Sequence, residues 1–386
     1  MSSVRINERK SMVRFLHTSD WQLGMGKPYF SEGTLERFTQ ARFDAVSAIG
    51  RVASEEGCSF VLVCGDAFES NQVDRRTVVR AAEALRQVPV PVFILPGNHD
   101  PLNAASVYLS SAFNEHKPEN VTVIENSDPI MIGKGIELVG APWFAKKPDE
   151  NPTISAVEGL EPVEGVTRIL IGHGIVDAFS PDKDVLDIIP VDLLERAISE
   201  NKVHYVALGD RHSLTRVGSG ERIWYSGTPE AADFSEAQPG FVLIVEVDAS
   251  AIDTRAVQVG QWRFTAREID LNTVDDIEAL RSSLDEVEHK EMAVVKLSLV
   301  GSLSLSLNVV LQAQLDWAMD VFAAFIVKDD DLAIIPDDAD FEDLGFSGFA
   351  DAAVKRLREE ITDGGEEEVA ARDALMLLMR LAGGAT

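Results

Sequence analysis

Short apolar runs alternate with longer stretches of helical period through the first 240 residues. Residues 13–17, 60–64, 92–95, 169–171 and 204–208 are continuously apolar or nearly so. They lack the strict alternation of a half-exposed strand, so the pattern predicts strands buried on both faces. Between them, 34–56 and 74–87 carry helical spacing, and the order strand–helix–strand predicts an α/β fold. Near Pro239-Gly240 the character changes. Strands at 241–247, 262–269 and 293–299, with helices at 273–286 and 307–322, predict a small α+β cap domain over 241–328. An acidic, loop-like stretch follows (Asp329-Asp330-Asp331, Pro336-Asp337-Asp338), then helices at 350–361 and 366–381 separated by Gly364-Gly365. These divisions give a polar extension at 1–11, a main domain at 12–240, the cap domain, and an acidic helical region at 329–386.

Each predicted strand of the main domain runs straight into a polar motif. The five are Asp20-Trp21-Gln22, Gly65-Asp66, Gly97-Asn98-His99-Asp100, Gly172-His173 and Gly209-Asp210-Arg211-His212. In α/β sheets ligands gather beyond the carboxyl ends of strands, so motifs spread over some two hundred residues would meet on one rim. A lone Gly-Asp after a strand is more often a turn than a ligand. Five such motifs rich in carboxylate and imidazole reverse that preference. Hydrolysis of a phosphate ester needs a strong nucleophile at neutral pH and neutralisation of growing negative charge, and two divalent ions about 4 Å apart supply both. A carboxylate must span the ions, which suits Asp66. Asn98 offers a neutral carbonyl oxygen, and His99 can face the substrate as a proton donor.

Other polar residues have simpler readings. His17 fits a structural hydrogen bond, and His116, His204 and His289 fit surface or core positions. Asp100 suits a turn or a partner for His99. Arg211 suits a substrate phosphate or a nearby carboxylate equally. Trp21 and Trp143 are better explained by packing than by stacking on a base. Arg75-Arg76 and Lys146-Lys147 are the best candidates for phosphate-backbone contacts, although such pairs are usually just solvated. Leu375, Met376, Leu378, Met379 and Leu381 give the last helix an apolar side, for docking a partner or for packing on its own domain.

Composition narrows the setting. No run approaches the roughly 20 apolar residues of a membrane span, and the first twelve residues have no apolar core of a secretory signal. Cys58 and Cys64 lie in or beside an apolar segment and read as buried thiols rather than a disulfide or zinc framework. A cytoplasmic address with no membrane partner fits. The net charge is −29, and residues 241–386 hold 12 Lys+Arg against 30 Asp+Glu. Such acidity opposes loose wrapping of nucleic acid but leaves room for a polyanion held by bound metal and a local basic strip.

The motif order resembles the calcineurin-like metallophosphoesterase superfamily. The segment His17-Thr18-Ser19-Asp20-Trp21-Gln22-Leu23-Gly24 is similar to the opening signature of its double-strand-break-repair branch, which contains the bacterial SbcD nuclease subunit. Tyr225-Ser226-Gly227-Thr228-Pro229-Glu230 is similar to that branch as well. The resemblance is firm over 12–240 and loose beyond. It implies a four-layer α/β sandwich and hydrolysis of DNA phosphodiesters with two metal ions, Mn²⁺ first, with Mg²⁺ or Fe as alternatives. One ion would be held by Asp20, Gln22, Asp66 and His212, the other by Asp66, Asn98, His173 and Asp210, with His99 as catalytic residue. The branch has histidine at positions 22 and 210, and at position 69, where this chain has Glu69. Asp210 adds negative charge and favours harder ions. Gln22 would ligate more weakly, and Glu69 would favour a protonated His99. The resemblance further implies DNA as partner, a homodimer, and an SMC-like coiled-coil ATPase as a separate chain, since no Gly-rich ATP-binding loop occurs here. Two other readings remain open: a phosphodiesterase or phosphatase for small molecules, and a non-catalytic scaffold with a weakened site.

Overall fold

The structure, a computed structural model, describes residues 12–133, 135–180, 188–335, 349–363, 370–371, 374–375 and 377. The strands are β1 (Val13–Thr18), β2 (Val61–Cys64), β3 (Val92–Leu95), β4 (Val121–Val123), β5 (Ile130–Gly133), β6 (Ile136–Gly140), β7 (Thr167–His173), β8 (Tyr205–Gly209), β9 (Thr215–Arg216), β10 (Ile223–Tyr225), β11 (Phe241–Val247), β12 (Ile252–Gln258), β13 (Arg263–Leu271), β14 (Ala293–Leu303) and β15 (Ala324–Ile334). The helices are α1 (Glu32–Glu55), α2 (Arg75–Arg86), α3 (Ser111–His116), α4 (Pro152–Glu158), α5 (Val191–Ser199), α6 (Val274–Asp285), α7 (Leu305–Val321) and α8 (Phe349–Asp363). The chain divides into two compact units after Phe264.

The first unit holds two six-stranded sheets, ordered β12-β11-β1-β2-β3-β4 and β5-β6-β7-β8-β10-β9. Strands β1 to β4 are mutually parallel, as are β6, β7, β8 and β10, whereas β11 runs antiparallel to β1. Alternate side chains of one strand serve different layers. Val61 and Val63 of β2 pack with Val46 and Ile49 of α1 and Leu85 of α2. Leu62 and Cys64 face the other way and meet Ile169 and Ile171 of β7. The far face of the second sheet, through Leu170 and Val206, is covered by Val157 of α4 and Leu194 of α5. The layers are therefore helix, sheet, sheet, helix, as the resemblance implies. Because the central strands are buried on both faces, they read as continuous apolar runs. Each fully buried Leu or Phe in such a layer stabilises by about 1.5–3 kcal/mol.

Two sequence expectations require correction. The boundary expected at 240/241 does not separate the units: β11 pairs with β1 over Val13↔Val247 to His17↔Leu243, and β12 extends the same sheet. The break in pattern at Gly240 is a turn with φ 88, which sends the chain back into the first sheet. The acidic loop expected from residue 329 is instead strand to Ile334, since β15 pairs with β14 on both sides of a register shift between Ser298 and Val300. Its Asp329-Asp330-Asp331 run is exposed on an edge strand, where charges are tolerated and discourage further strand pairing.

The second unit is a three-stranded sheet, β13-β14-β15, packed with α6 and α7 through Ile277, Leu280, Leu311 and Leu315. A capping box starts α6, with Thr273 and Asp276 each accepting the other's backbone N–H. Residues 1–11 and most of the predicted helix at 366–381 lie outside the described residues.

Candidate metal centre

Five parallel strands, β1, β2 and β3 from one sheet and β7 and β8 from the other, end at one rim, and each delivers one motif. Past their last residues β1 and β2 stay laced together. Asp20 N–H donates to Gly65 O at 3.0 Å, Gln22 N–H to Asp66 O at 2.9 Å, and Leu23 N–H to Ala67 O at 3.0 Å. Holding side chains inward here requires unusual backbone. Asp20 (φ 53), Gln22 (φ 43), Asp66 (φ 54) and Asp210 (φ 95) all have positive φ without being glycine. Such residues are uncommon, each costs on the order of 1 kcal/mol, and they cluster at functional sites. The neighbouring glycines make room: a Cβ on Gly97 would overlap the Asp66 carboxylate, and one on Gly65 would overlap the His173 ring.

The expected residues gather in two groups joined by Asp66. In one, His173 Nε2 lies 3.2 Å from Asn98 Oδ1, 3.5 Å from Asp66 Oδ1 and 3.7 Å from Asp210 Oδ1. In the other, His212 Nε2 lies 3.1 Å from Gln22 Nε2 and 4.0 Å from Asp20 Oδ1. Asp20, Asp66 and His173 present ligand atoms all within 4.8 Å of one another. Three histidines are oriented alike. His173 Nδ1–H donates to Cys64 O at 2.8 Å, His99 Nδ1–H to Glu69 O at 2.9 Å, and His212 Nδ1–H to the Glu236 carboxylate at 2.7 Å. Each thereby turns Nε2 toward the rim, as a metal-ligating or proton-transferring imidazole requires.

Burial opposes charge on the carboxylates of this group. Burial raises the Asp20 carboxyl to about 6, against the pull of His212 and His173. Burial also raises Asp210. Asp66 is pushed up by burial too, yet the His173 charge and hydrogen bond hold it below its ordinary value. Conversely, burial works to lower His173, but Asp66 drives it well above the usual imidazole range. His212 rises to about 9 despite burial, through Glu236 and Asp20. Three carboxylates are crowded around two imidazoles, a setting in which divalent ions would neutralise the charge. Gln22 Oε1 is buried with no hydrogen-bond partner among the described residues; the amide atom turned toward His212 is Nε2, so oxygen ligation there takes the other orientation of the amide. Carboxylate, amide oxygen and imidazole together suit Mn²⁺ or Mg²⁺. The residues fit a pair of such ions.

Glu69 meets His99 through its backbone carbonyl, while its carboxylate Oε1 stands 4.0 Å from Nδ1. The carboxylate thus stands beside His99, as the sequence suggested, and the backbone carbonyl of the same residue accepts from the ring. Asp100 takes the turn reading of the two offered for it. Its buried carboxylate accepts from Gly97 N–H, Phe68 N–H and the Tyr108 hydroxyl, bracing the loops that carry Asp66 and Asn98. Arg211 stacks on Phe179 and donates to Thr215. Trp21 and Trp143 are buried, the latter donating to His173 O at 3.0 Å. His17 is buried between Tyr205 and the Leu208 carbonyl. Cys58 and Cys64 are free and buried. Among the described residues no helix is long and apolar enough to cross a membrane.

Sequence reasoning missed three supports. Ser19 donates to Asp20 Oδ2 at 2.6 Å, Asn151 donates to His173 O at 2.9 Å, and Glu236 holds His212. The motif at 225–230, singled out by resemblance alone, now has a role. Ser226 Oγ lies 3.0 Å from Ser19 Oγ, and Thr228 Oγ1 lies 2.9 Å from the Asp20 carbonyl oxygen.

A model of the calcineurin-like phosphoesterase family matches residues 13–245. The DNA double-strand break repair protein Mre11 of Haloferax volcanii is 24% identical over 356 residues, covering 90% of this chain and 74% of that protein. Among solved structures, a protein of Thermus thermophilus aligns with 64% of this chain and 100% of its own, at 12% identity and a TM-score of 0.39. A dimetal phosphatase from Danio rerio aligns with 64% of this chain and 97% of its own, at 12% identity and a TM-score of 0.43.

Proposed function

The chain belongs to the calcineurin-like phosphoesterase family, and from that premise we propose that it hydrolyses DNA phosphodiesters with two divalent ions, Mn²⁺ first among them. The observation that carries the reading is the buried group of Asp20, Asp66 and His173 beside the unpartnered Gln22 carbonyl. DNA as substrate draws on the repair role in the name of the Haloferax volcanii relative. The same reading includes a cytoplasmic address, a homodimer and a separate SMC-like ATPase as partners. The chemistry lies in residues 12–264.

Bound ions would supply a lowered water pKa and charge neutralisation at phosphorus. Asp66 spans the two groups of ligands, with Asp20, Gln22 and His212 on one side and Asn98, His173 and Asp210 on the other. Water forms the new P–O bond in line with the ester P–O bond that breaks. His99, its Nδ1–H fixed on the Glu69 carbonyl, presents Nε2 to the leaving oxygen and gives it a proton. His99 N–H also donates to Asp66 Oδ1 at 3.0 Å, so the bridging carboxylate and the acid share one support.

The test is end-labelled linear DNA with Mn²⁺, against an Asn98→Ala His99→Ala variant. Metal-dependent cleavage by the wild type, lost in the variant, is expected. Hydrolysis of a small chromogenic diester without DNA cleavage would replace the substrate, and silence on both would leave a scaffold.

A further inference from the structure

The geometry points to Glu236 as the positioning residue that sets the strength of one metal site by fixing His212; this rests on the function proposed above. His173 and His99 are held at Nδ1 by backbone carbonyls, those of Cys64 and Glu69, which no substitution can delete. His212 is held by a side chain. Glu236 lies 24 residues on, in the segment between β10 and β11, with its carboxylate 3% exposed.

Both carboxylate oxygens of Glu236 are used. Oε1 accepts from His212 Nδ1–H at 2.7 Å, and Oε2 accepts from Ala232 N–H at 2.8 Å, which fixes the carboxylate itself. The buried Arg42 of α1 supplies opposite charge nearby. Its guanidinium donates to Trp21 O at 2.8 Å, between Asp20 and Gln22. One arginine thus supports the turn carrying two ligands of this group and lies close to the carboxylate that orients the third.

The dependence on Glu236 is greater here than it would be beside a second imidazole. The group of Asp20, Gln22 and His212 has one imidazole, and Gln22 contributes only a neutral amide oxygen. If His212 swings or presents Nδ1 instead, the group keeps Asp20 and Asp66 as its sole charged donors. The other group, with His173 fixed by backbone, does not feel Glu236. A carboxylate behind a ligating histidine is typically worth 10–100-fold in metal affinity. The expected signature is therefore loss at one site of the two.

Metal-stripped protein is titrated with MnCl₂ by calorimetry, with bound Mn²⁺ counted by electron paramagnetic resonance. The wild type is expected to take two ions in two steps. Glu236→Gln should weaken one step 10–100-fold and leave the other unchanged. Glu236→Asp, which keeps the charge but is shorter by one methylene, should weaken the same step. In a His212→Ala background, Glu236→Gln should add no further loss, because the effect passes through that ring. Matching titrations of wild type and both Glu236 variants would overturn the assignment while leaving the function standing. An equal loss at both steps, or an undiminished cost in the His212→Ala background, would also overturn it, as damage to packing behaves that way. A wild type that takes up no Mn²⁺ would remove the proposed function and this assignment together.

Discussion

At the scale of single residues, the site is a set of exceptions to ordinary backbone and burial preferences, and each exception can be tested. Gln22 adopts φ 43 and keeps its carbonyl unpartnered. Gln22→His should supply a second imidazole beside His212 and tighten one Mn²⁺ step by about tenfold or more, read by the same titration. His17 makes a separate prediction. Burial pushes its imidazole down to about 3 from 6.5. Between those values the unfolded chain holds a proton that the folded chain does not. Its contribution is therefore complete above about pH 6.5 and is lost as pH falls, at up to about 1.4 kcal/mol per pH unit. Asp20, His173 and His212, whose values are raised, act in the opposite sense on the whole protein, so the test is differential: the margin in urea midpoint between wild type and His17→Gln should shrink from pH 7 to pH 5. The ligand candidates were legible in sequence because each follows an apolar strand directly. Glu236 was not, because one more glutamate in so acidic a chain carries no local signal, and its meaning comes from reaching His212 across a turn. At Glu69, position indicated a carboxylate near His99, which the structure places there, while the carbonyl that accepts from the ring carries no signal in the sequence.

Elements were readable where burial left a strong pattern and obscure where it did not. The central strands β1, β2, β3, β7 and β8 are apolar on both faces and were visible at once. β12, with the half-exposed sequence Ile-Asp-Thr-Arg-Ala-Val-Gln, lies at a sheet edge and offers only weak alternation. The same holds for the acidic middle of β15, whose pairing with β14 outweighs the poor strand preference of aspartate. The domain boundary was misplaced because a positive-φ glycine marks a turn as readily as a linker. Local signals do control helix starts. Thr273→Ala removes one half of the α6 capping box and should cost about 1 kcal/mol, measured by urea unfolding.

For the whole molecule, a net charge of −29 sets a general repulsion against which every local contact works. Salt shortens the reach of that repulsion, to about 3 Å at 1 M. The thermal midpoint at pH 7 should therefore rise as KCl increases from 50 mM to 1 M, by differential scanning fluorimetry. A salt-independent midpoint would mean that the acidic surface is already compensated. The layering bears on stability in another way. Because ligand candidates come from β1, β2 and β3 of one sheet and from β7 and β8 of the other, a filled centre acts as a clasp across the sandwich seam. Ions that bind the folded chain alone add about 2.7 kcal/mol per site at a hundred times their dissociation constant. A chelator should therefore lower the midpoint and speed hydrogen exchange first along the rim, at the ends of β2 and β7, so that metal supply governs how long the protein lasts as well as what it can do.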